Sequence, residues 1–237
     1  MNIKVLFDNY SKDKDFLIGW GVSCLIDEHI LFDTGEDFEK LFHNMKKMDV
    51  SIKDITKIII SHEHWDHTGG LWGILEKRKE LTKVYICSNS SKDFKNEILK
   101  YNVELIDING DLKIEDDIYT TGQIICKYKG SDLFEQALIL KTDKGVSVIT
   151  GCAHPGIIKI VNYAQKNFKE PINFIVGGFH LKDFNDKELD NVMEQLNKIK
   201  FNKIVPIHCT GRKAVETIKQ NYSDKFMQIK CGMDFEV

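Results

Sequence analysis

Apolar runs of strand length recur along the whole chain, and the spacing between them constrains the fold more than any other feature. They read IKVLF (3–7), VSCLI (22–26), ILF (30–32), KIII (57–60), KVYIC (83–87), ALIL (137–140), VSVIT (146–150), NFIV (173–176) and KIVPIH (203–208). Between many of them lie stretches with helical spacing, at 37–48, 70–79, 91–100, 155–168, 187–199 and 211–220. Such alternation predicts an α/β fold, with tight connections between the early strands and helical ones between the later strands. At 237 residues and 42% hydrophobic composition the chain can build a sizeable core. Only Pro155, Pro171 and Pro206 interrupt it, and no Ser/Gly-rich joint divides it, so a single domain spanning 1–237 is expected. A loose architectural repetition is visible as well: strand, histidine-containing turn, then helix, at 57–78, 146–168, 173–199 and 203–220.

Charge and cysteine usage exclude several classes of function. Acidic residues (36) slightly exceed basic ones (33), and the clusters Lys46-Lys47 and Lys77-Arg78-Lys79 are broken by acids and apolar positions, so no nucleic-acid partner is expected. The start MNIKVLFDNY resembles a strand rather than an export signal, and no run approaches the roughly 18 uninterrupted apolar residues of a membrane span. A cytoplasmic protein with no membrane partner follows as the expectation. Cys24, Cys87, Cys126, Cys152, Cys209 and Cys231 are scattered without CxxC spacing, which argues against a disulfide framework or a zinc ribbon and for small buried hydrophobes.

The densest chemistry lies in KIIISHEHWDHTGGLWGIL, which passes from a β-branched strand through a turn into an apolar-periodic helix. Its histidines sit at a strand's C-terminal end, where α/β folds place their ligands. His62 and His64 are two apart, so an extended backbone directs both the same way, and Asp66 with His67 falls at the turn into the helix. Four donors can then converge, and Gly69 and Gly70, lacking Cβ, let the backbone pass close to whatever they hold. A solvated polar turn is the bland alternative. A HxHxDH pattern arises by chance in roughly one in a thousand chains of this composition, which favours a metal.

Three more histidines share the strand-to-helix setting: His154 after VSVITGCA, His180 after NFIVGGF, and His208 at the end of KIVPI. Singly each suits a structural histidine; together with the first cluster they make convergence on one site plausible. His29, in the tight DEHI connection, and His43, in a charged helix, have no such partners and belong to the surface.

These residues resemble the HxHxDH signature of the metallo-β-lactamase superfamily, whose fold is an α/β four-layer αββα sandwich with a dinuclear metal site at the sheets' edge. ILFDTG (30–35), GCAHPGI (151–157) and PIHCTG (206–211) look like further motifs of that superfamily. The combination of GCAHPGI, GGFHL (177–181) and HCTG is similar to the subgroup named for 7,8-dihydropterin-6-yl-methyl-4-(β-D-ribofuranosyl)aminobenzene 5′-phosphate synthase. The resemblance implies that His62, His64 and His154 hold one metal, and Asp66, His67 and His208 the other. Many members carry a bridging Asp where this chain has Cys152 after Gly151, so Cys152 is either a soft ligand or a buried thiol beside the site. Asp33 fits an acceptor that orients a ligand histidine through its other ring nitrogen, or alternatively a turn before Gly35. The resemblance also places His180 near the pocket, as a donor to a substrate phosphate or a proton carrier, against a core-capping role. Asp8 and Asn9 suit either the pocket rim or a turn.

Imidazole and carboxylate donors in this number suit zinc, the default, with manganese or iron as alternatives. Two divalent ions make hydrolysis of a small, phosphorylated or pterin-like substrate the simplest use, with Asp66 moving a proton to the leaving group. Pterin-methyl transfer, as in the subgroup's name, and a non-catalytic iron-binding or redox module are the competing readings. Loops 8–20 and 121–136 are expected to wall the pocket, with Phe16, Trp20 and Phe134 either stacking on a planar ring or serving as core or homodimer contacts.

Overall fold

The structure, a computed structural model, describes all 237 residues. It divides into two units, Met1–Gly110 with Lys230–Glu236, and Asp111–Ile229 with Val237.

In the first unit the strands are β1 (Asn2–Phe7), β2 (Ser23–Ile26), β3 (Ile30–Phe32), β4 (Lys57–Ile59), β5 (Thr82–Cys87), β6 (Val103–Ile108) and β15 (Asp234–Glu236). They form one sheet in the order β15-β1-β2-β3-β4-β5-β6. Pairs from β15 to β3 are antiparallel and pairs from β3 to β6 are parallel. Parallel neighbours need a crossover. Helix α1 (Phe38–Lys47) supplies the first, α2 (Trp65–Thr68) and α3 (Leu71–Lys77) the second, and α4 (Lys92–Ile98) the third. Asp37 starts α1 by accepting the Lys40 N–H, and Lys46 and Lys47 lie in its last turn, where the helix dipole favours them. Leu25, Leu31, Ile58, Val84 and Ile86 on one face of the sheet pack against Leu41, Met45, Leu71 and Ile74. Residues of the other parity, among them Val5, Cys24, Ile26, Ile30 and Ile59, are buried too, so these strands read as continuous apolar runs.

The second unit holds β7 (Leu112–Glu115), β8 (Ile118–Thr120), β9 (Ile124–Tyr128), β10 (Ser131–Glu135), β11 (Leu138–Thr142), β12 (Gly145–Thr150), β13 (Ile172–Gly178) and β14 (Phe201–Ile207). Its main sheet runs β14-β13-β12-β11-β8-β7, and β9 with β10 forms a separate two-stranded ribbon. Helices α5 (Ile157–Phe168) and α6 (Asp186–Leu196) cross between the parallel strands β12, β13 and β14, and α7 (Arg212–Asn221) follows β14. Asn185 and Glu188 close a reciprocal capping box at the start of α6. Val148, Ile175 and Ile204 meet Ile160, Val161, Leu189, Met193, Ala214 and Ile218 in this unit's core.

All nine apolar runs and all six helical stretches are elements of the fold. The segment 121–136, expected as an open loop, is instead the β9–β10 hairpin. Half-buried and exposed positions alternate along Ile124–Tyr128, and its apolar stretch is only Ile124-Ile125-Cys126. Lys129 and Gly130 form the turn with φ of 48° and 86°, the doubly left-handed geometry that matches the twist of a two-residue hairpin. No helix is long and apolar enough to cross a membrane. All six cysteines are free, and all but Cys126 are buried.

Candidate metal centre

The first unit brings His62, His64, Asp66 and His67 together. His62 follows the end of β4, His64 has the extended backbone of an N-cap, and Asp66 and His67 lie within α2. His62 Nε2 is 3.0 Å from His64 Nδ1, the His62 and His67 ring centroids are 4.1 Å apart, and Asp66 Oδ2 lies 3.6 Å from His67 Nε2. His62, Asp66 and His67 are buried.

One carboxylate orients two of these rings. Asp33, at the end of β3 with a left-handed φ of 56°, is fully buried. Its Oδ1 accepts the Ser61 N–H at 2.7 Å, and its Oδ2 accepts the Ser61 hydroxyl and His67 Nδ1, each at 2.7 Å. Because the Ser61 hydrogen is committed to Asp33, its oxygen accepts from His62 Nδ1 at 2.9 Å. Both rings therefore carry their proton on Nδ1 and present the Nε2 lone pair as a ligand atom. Burial pushes the Asp33 carboxyl up from its ordinary range, and His67 and Ser61 pull against that rise.

Gly69 and Gly70 serve a different purpose from the one expected. A Cβ on Gly69 would lie 2.0 Å from the Glu36 carbonyl oxygen, and one on Gly70 2.3 Å from that of Thr34. The glycines let the backbone after α2 lie against the segment after β3, with Thr34 N–H and hydroxyl both donating to the His67 carbonyl. They seat the histidine segment rather than clear space for its cargo.

In the second unit the donors sit just beyond the ends of three adjacent parallel strands. Cys152 and His154 follow β12, His180 follows β13, and His208 and Cys209 follow β14. Ala153, His180 and His208 have left-handed φ of 57°, 53° and 50°, a local cost that recurs where side chains must be aimed. Cys152 Sγ is 3.4 Å from His208 Nε2. The ligand atoms of Cys152, His180 and Cys209 lie within 4.8 Å of one another. Gly178 makes room for them, since a Cβ there would come within 2.6 Å of Cys209 Sγ and 3.1 Å of the His208 ring. Burial pushes the Cys209 thiol up, but Cys152 and the His208 and His180 rings outweigh it and hold it well below its usual range.

Glu135, at the end of β10, was not anticipated from the sequence. Its Oε1 accepts the N–H groups of Cys152 (2.9 Å) and Ala153 (2.7 Å), and its Oε2 accepts the His154 N–H (2.8 Å) and His154 Nδ1 (2.9 Å). Burial raises its pKa, but the bonds from His154 and Cys152 win and hold it below the ordinary carboxylate range. Local sequence offers no signal for this role, because an acid in LFEQ reads as a solvated position.

His180 Nδ1 is buried without a hydrogen-bond partner. Its ring bonds to the Cys209 thiol, which raises the His180 pKa against the effect of burial. His180 and His154 line a cavity of about 610 Å³ with Lys127, Tyr128, Lys159 and Asn162. Tyr128, rather than the aromatics singled out in the sequence, stands against both rings, with centroids 4.7 Å from His154 and 5.6 Å from His180. Phe16 is a core residue beneath Gly232 in the first unit, and Phe134 is half-buried on β10. Asp8 is buried, and Asn9 accepts the Gly21 N–H as a loop brace. His29 and His43 bond backbone carbonyls of Asp27 and Asp15 and join neither donor group.

Three imidazoles, His62, His67 and His154, thus have Nδ1 tied to protein oxygen, and carboxylate and thiol donors accompany them. That donor chemistry fits a divalent transition metal. The chain belongs to the metallo-β-lactamase superfamily, whose family profile matches residues 22–105. It is 27% identical to the 7,8-dihydropterin-6-methyl-4-(beta-D-ribofuranosyl)-aminobenzene-5'-phosphate synthase of Methanocaldococcus jannaschii, over 98% of this chain and 95% of that protein. An uncharacterized protein of the same organism is 30% identical over 92% of this chain and 94% of its own. The crystal structure of a metal-dependent hydrolase of the beta-lactamase superfamily, 29% identical, superposes with a TM-score of 0.84 and covers 100% of this chain and 99% of that one. The fold is therefore the metallo-β-lactamase fold, the class expected from the sequence.

Proposed function

We propose that the chain is a metal-dependent hydrolase of the cytoplasm, acting on a small molecule that is phosphorylated or pterin-like. The observation that carries this reading is the anchoring of ring nitrogens: Asp33, Ser61 and Glu135 hold Nδ1 of His67, His62 and His154, the arrangement that metal-ligating histidines almost always show. In this reading His62, His64 and His154 hold one ion, and Asp66, His67 and His208 hold a second, with zinc the default and manganese or iron the alternatives. Cys152 stands beside His208, 3.4 Å from its Nε2, and would add a soft donor to the second set. Divalent ions bound there would lower the pKa of water and stabilise developing negative charge.

The protein's own groups supply the rest. Asp66, whose carboxylate lies 3.6 Å from His67 Nε2, would take the proton on its way to the leaving group. His180, which lines the cavity, would contact the substrate. The buried Asp33 and Glu135 keep the imidazoles in one tautomer, so little reorganisation accompanies reaction.

Transfer of a pterin-methyl group onto an aryl amine is the second reading, favoured by the relative of that name, which aligns over 98% of this chain. The deciding experiment combines metal analysis with turnover. Purified protein is assayed with phosphomonoesters, phosphodiesters, lactones and thioesters after loading with zinc, manganese or iron, and with a dihydropterin-methyl donor plus an aryl amine. Bound metal with hydrolysis supports the proposal; coupling without hydrolysis selects the transferase; coloured iron without either reaction leaves a redox module.

A further inference from the structure

We infer that Cys152, Cys209 and His180 form a further ion site, one for a soft, thiophilic metal ion, separate from the two histidine-aspartate sets proposed above. Neither Cys209 nor His180 belongs to those sets, and only Cys152 is shared, so the inference does not depend on which reaction the chain catalyses.

Strand geometry puts the three side chains together. β12, β13 and β14 are parallel neighbours in one sheet, and each donor comes two residues after its strand's last residue: Cys152 after Thr150, His180 after Gly178 and Cys209 after Ile207. The carboxyl ends of adjacent parallel strands are where α/β sheets gather ligand-binding groups. One donor atom from each of the three residues lies within 4.8 Å of the other two. Around a tetrahedral zinc ion, with about 2.3 Å to sulfur and about 2.0 Å to nitrogen, such atoms stand about 3.5–3.8 Å apart. A small side-chain rotation covers the difference.

The surroundings hold the arrangement in place. Glu135 Oε1 accepts the Cys152 N–H at 2.9 Å and fixes the backbone of the first donor. The Thr210 hydroxyl accepts the Phe179 N–H at 3.1 Å and donates to the Ile207 carbonyl at 2.7 Å, which ties the turn bearing Cys209 to the residue before His180. His180 has a φ of 53°, a left-handed conformation that a non-glycine residue keeps where its neighbours impose it. Gly178 leaves the second sulfur its place, since a Cβ there would lie 2.6 Å from Cys209 Sγ.

Donor chemistry selects the class of ion. Two thiols and an imidazole suit zinc, copper(I) or cadmium, whereas magnesium and calcium take oxygen ligands. Cys152 and Cys209 are 3% and 1% exposed, so sulfur rather than water would meet the ion's charge. A divalent ion with two thiolates is neutral, and the two thiol protons leave as the metal–sulfur bonds form. Packing accounts for a buried cysteine, but not for two that face one imidazole. His180 Nδ1 is buried with no hydrogen-bond partner, the condition in which a ring nitrogen calls for an ion. The same ring lines the cavity, so an ion held here and a molecule in the cavity would share it.

The test uses the full chain, purified under reducing conditions, with cadmium as the probe. It is run in a Cys126→Ser background, which removes the half-exposed thiol on β9. Thiolate-to-cadmium charge transfer absorbs in the ultraviolet and ligation by imidazole or carboxylate does not, so the difference spectrum reports sulfur ligands alone. Titration is expected to raise this band to an endpoint of about one ion per chain. Cys209→Ser should lower it by about half or more, since one of two sulfur ligands is gone. His180→Ala should weaken cadmium binding about tenfold or more. Both variants should keep the ions of the other two sets, and thermal melting checks that they fold. A band absent from the parent, or unchanged in Cys209→Ser, overturns the soft-ion site and leaves the proposed function standing. His64→Ala separates the two readings from the other side. A band that survives His64→Ala and depends on Cys209 supports the site, even if that variant keeps full metal and turnover and so removes His64 from the main centre. A band lost in His64→Ala but kept in Cys209→Ser assigns Cys152 to the main centre alone and overturns the inference.

Discussion

Glu135 Oε2 lies 2.9 Å from Nδ1 of His154, and the same carboxylate accepts the backbone N–H groups of Cys152, Ala153 and His154. One buried side chain on the hairpin therefore sets both the path of the loop after β12 and the tautomer of its histidine. Glu135→Gln turns an acceptor into a donor against these N–H groups. Metal affinity is expected to fall by about 10–100-fold, read by chelator competition. The sign of the pH effect follows from the lowered pKa. The interaction stabilises the fold fully above the unfolded carboxylate's pKa and is lost as pH falls through the lower folded value. In metal-free protein, the stability gap between Glu135→Gln and the parent should accordingly narrow on acidification.

Asp33 serves two rings at once, His67 directly and His62 through Ser61. Asp33→Asn should therefore disturb both, and Ser61→Ala only the His62 branch. The expected order of metal loss is Asp33→Asn greater than Ser61→Ala, measured as ions retained per chain after dialysis. An equal or reversed order would count against the shared anchor.

His64→Ala is expected to lower metal content and abolish turnover, whereas His43→Ala, whose ring bonds the Asp15 carbonyl on the surface, should change neither. Normal metal stoichiometry and rate in the first variant would remove His64 from the site.

His180→Ala should retain metal while kcat/KM falls by about 100-fold or more if the ring moves a proton, and by less if it only binds substrate. Retention of full kcat/KM on the physiological substrate would show that the ring has no catalytic part.

Gly178→Ala tests how tightly the second donor group is built. Its new methyl would lie 2.4 Å from the Gly151 carbonyl oxygen and 2.6 Å from Cys209 Sγ. Overpacking of this kind costs about 1–3 kcal/mol, so a lowered melting temperature is expected. Displacement of His208 should also weaken metal retention. An unchanged melting temperature would mean that the strand ends yield easily.

Much of this protein is written locally. The apolar runs are present as strands because burial on both faces leaves no polar alternation to obscure them, as in Val146 to Thr150. The stretch from His62 to His67 is readable for a related reason: its donors are neighbours in the chain, and a strand end followed by a helix turn is enough to gather them. The hairpin at 124–135 is less legible, since its half-exposed strands carry a short apolar signal and its Lys129-Gly130 turn lacks the usual Asn or Asp.

Residue type and spacing by themselves determined the α/β class and the histidine cluster, because both depend on interactions between residues a few positions apart. Tertiary structure decided which groups orient the donors. Asp33 meets His67 from 34 residues away and Glu135 meets His154 from 19, joined by strand pairing and by a hairpin folding back. It also decided that Gly69 and Gly70 face neighbouring backbone and that Phe16 is core. A side chain's partner across a sheet is set by register and burial, and neither is encoded in the residues beside it.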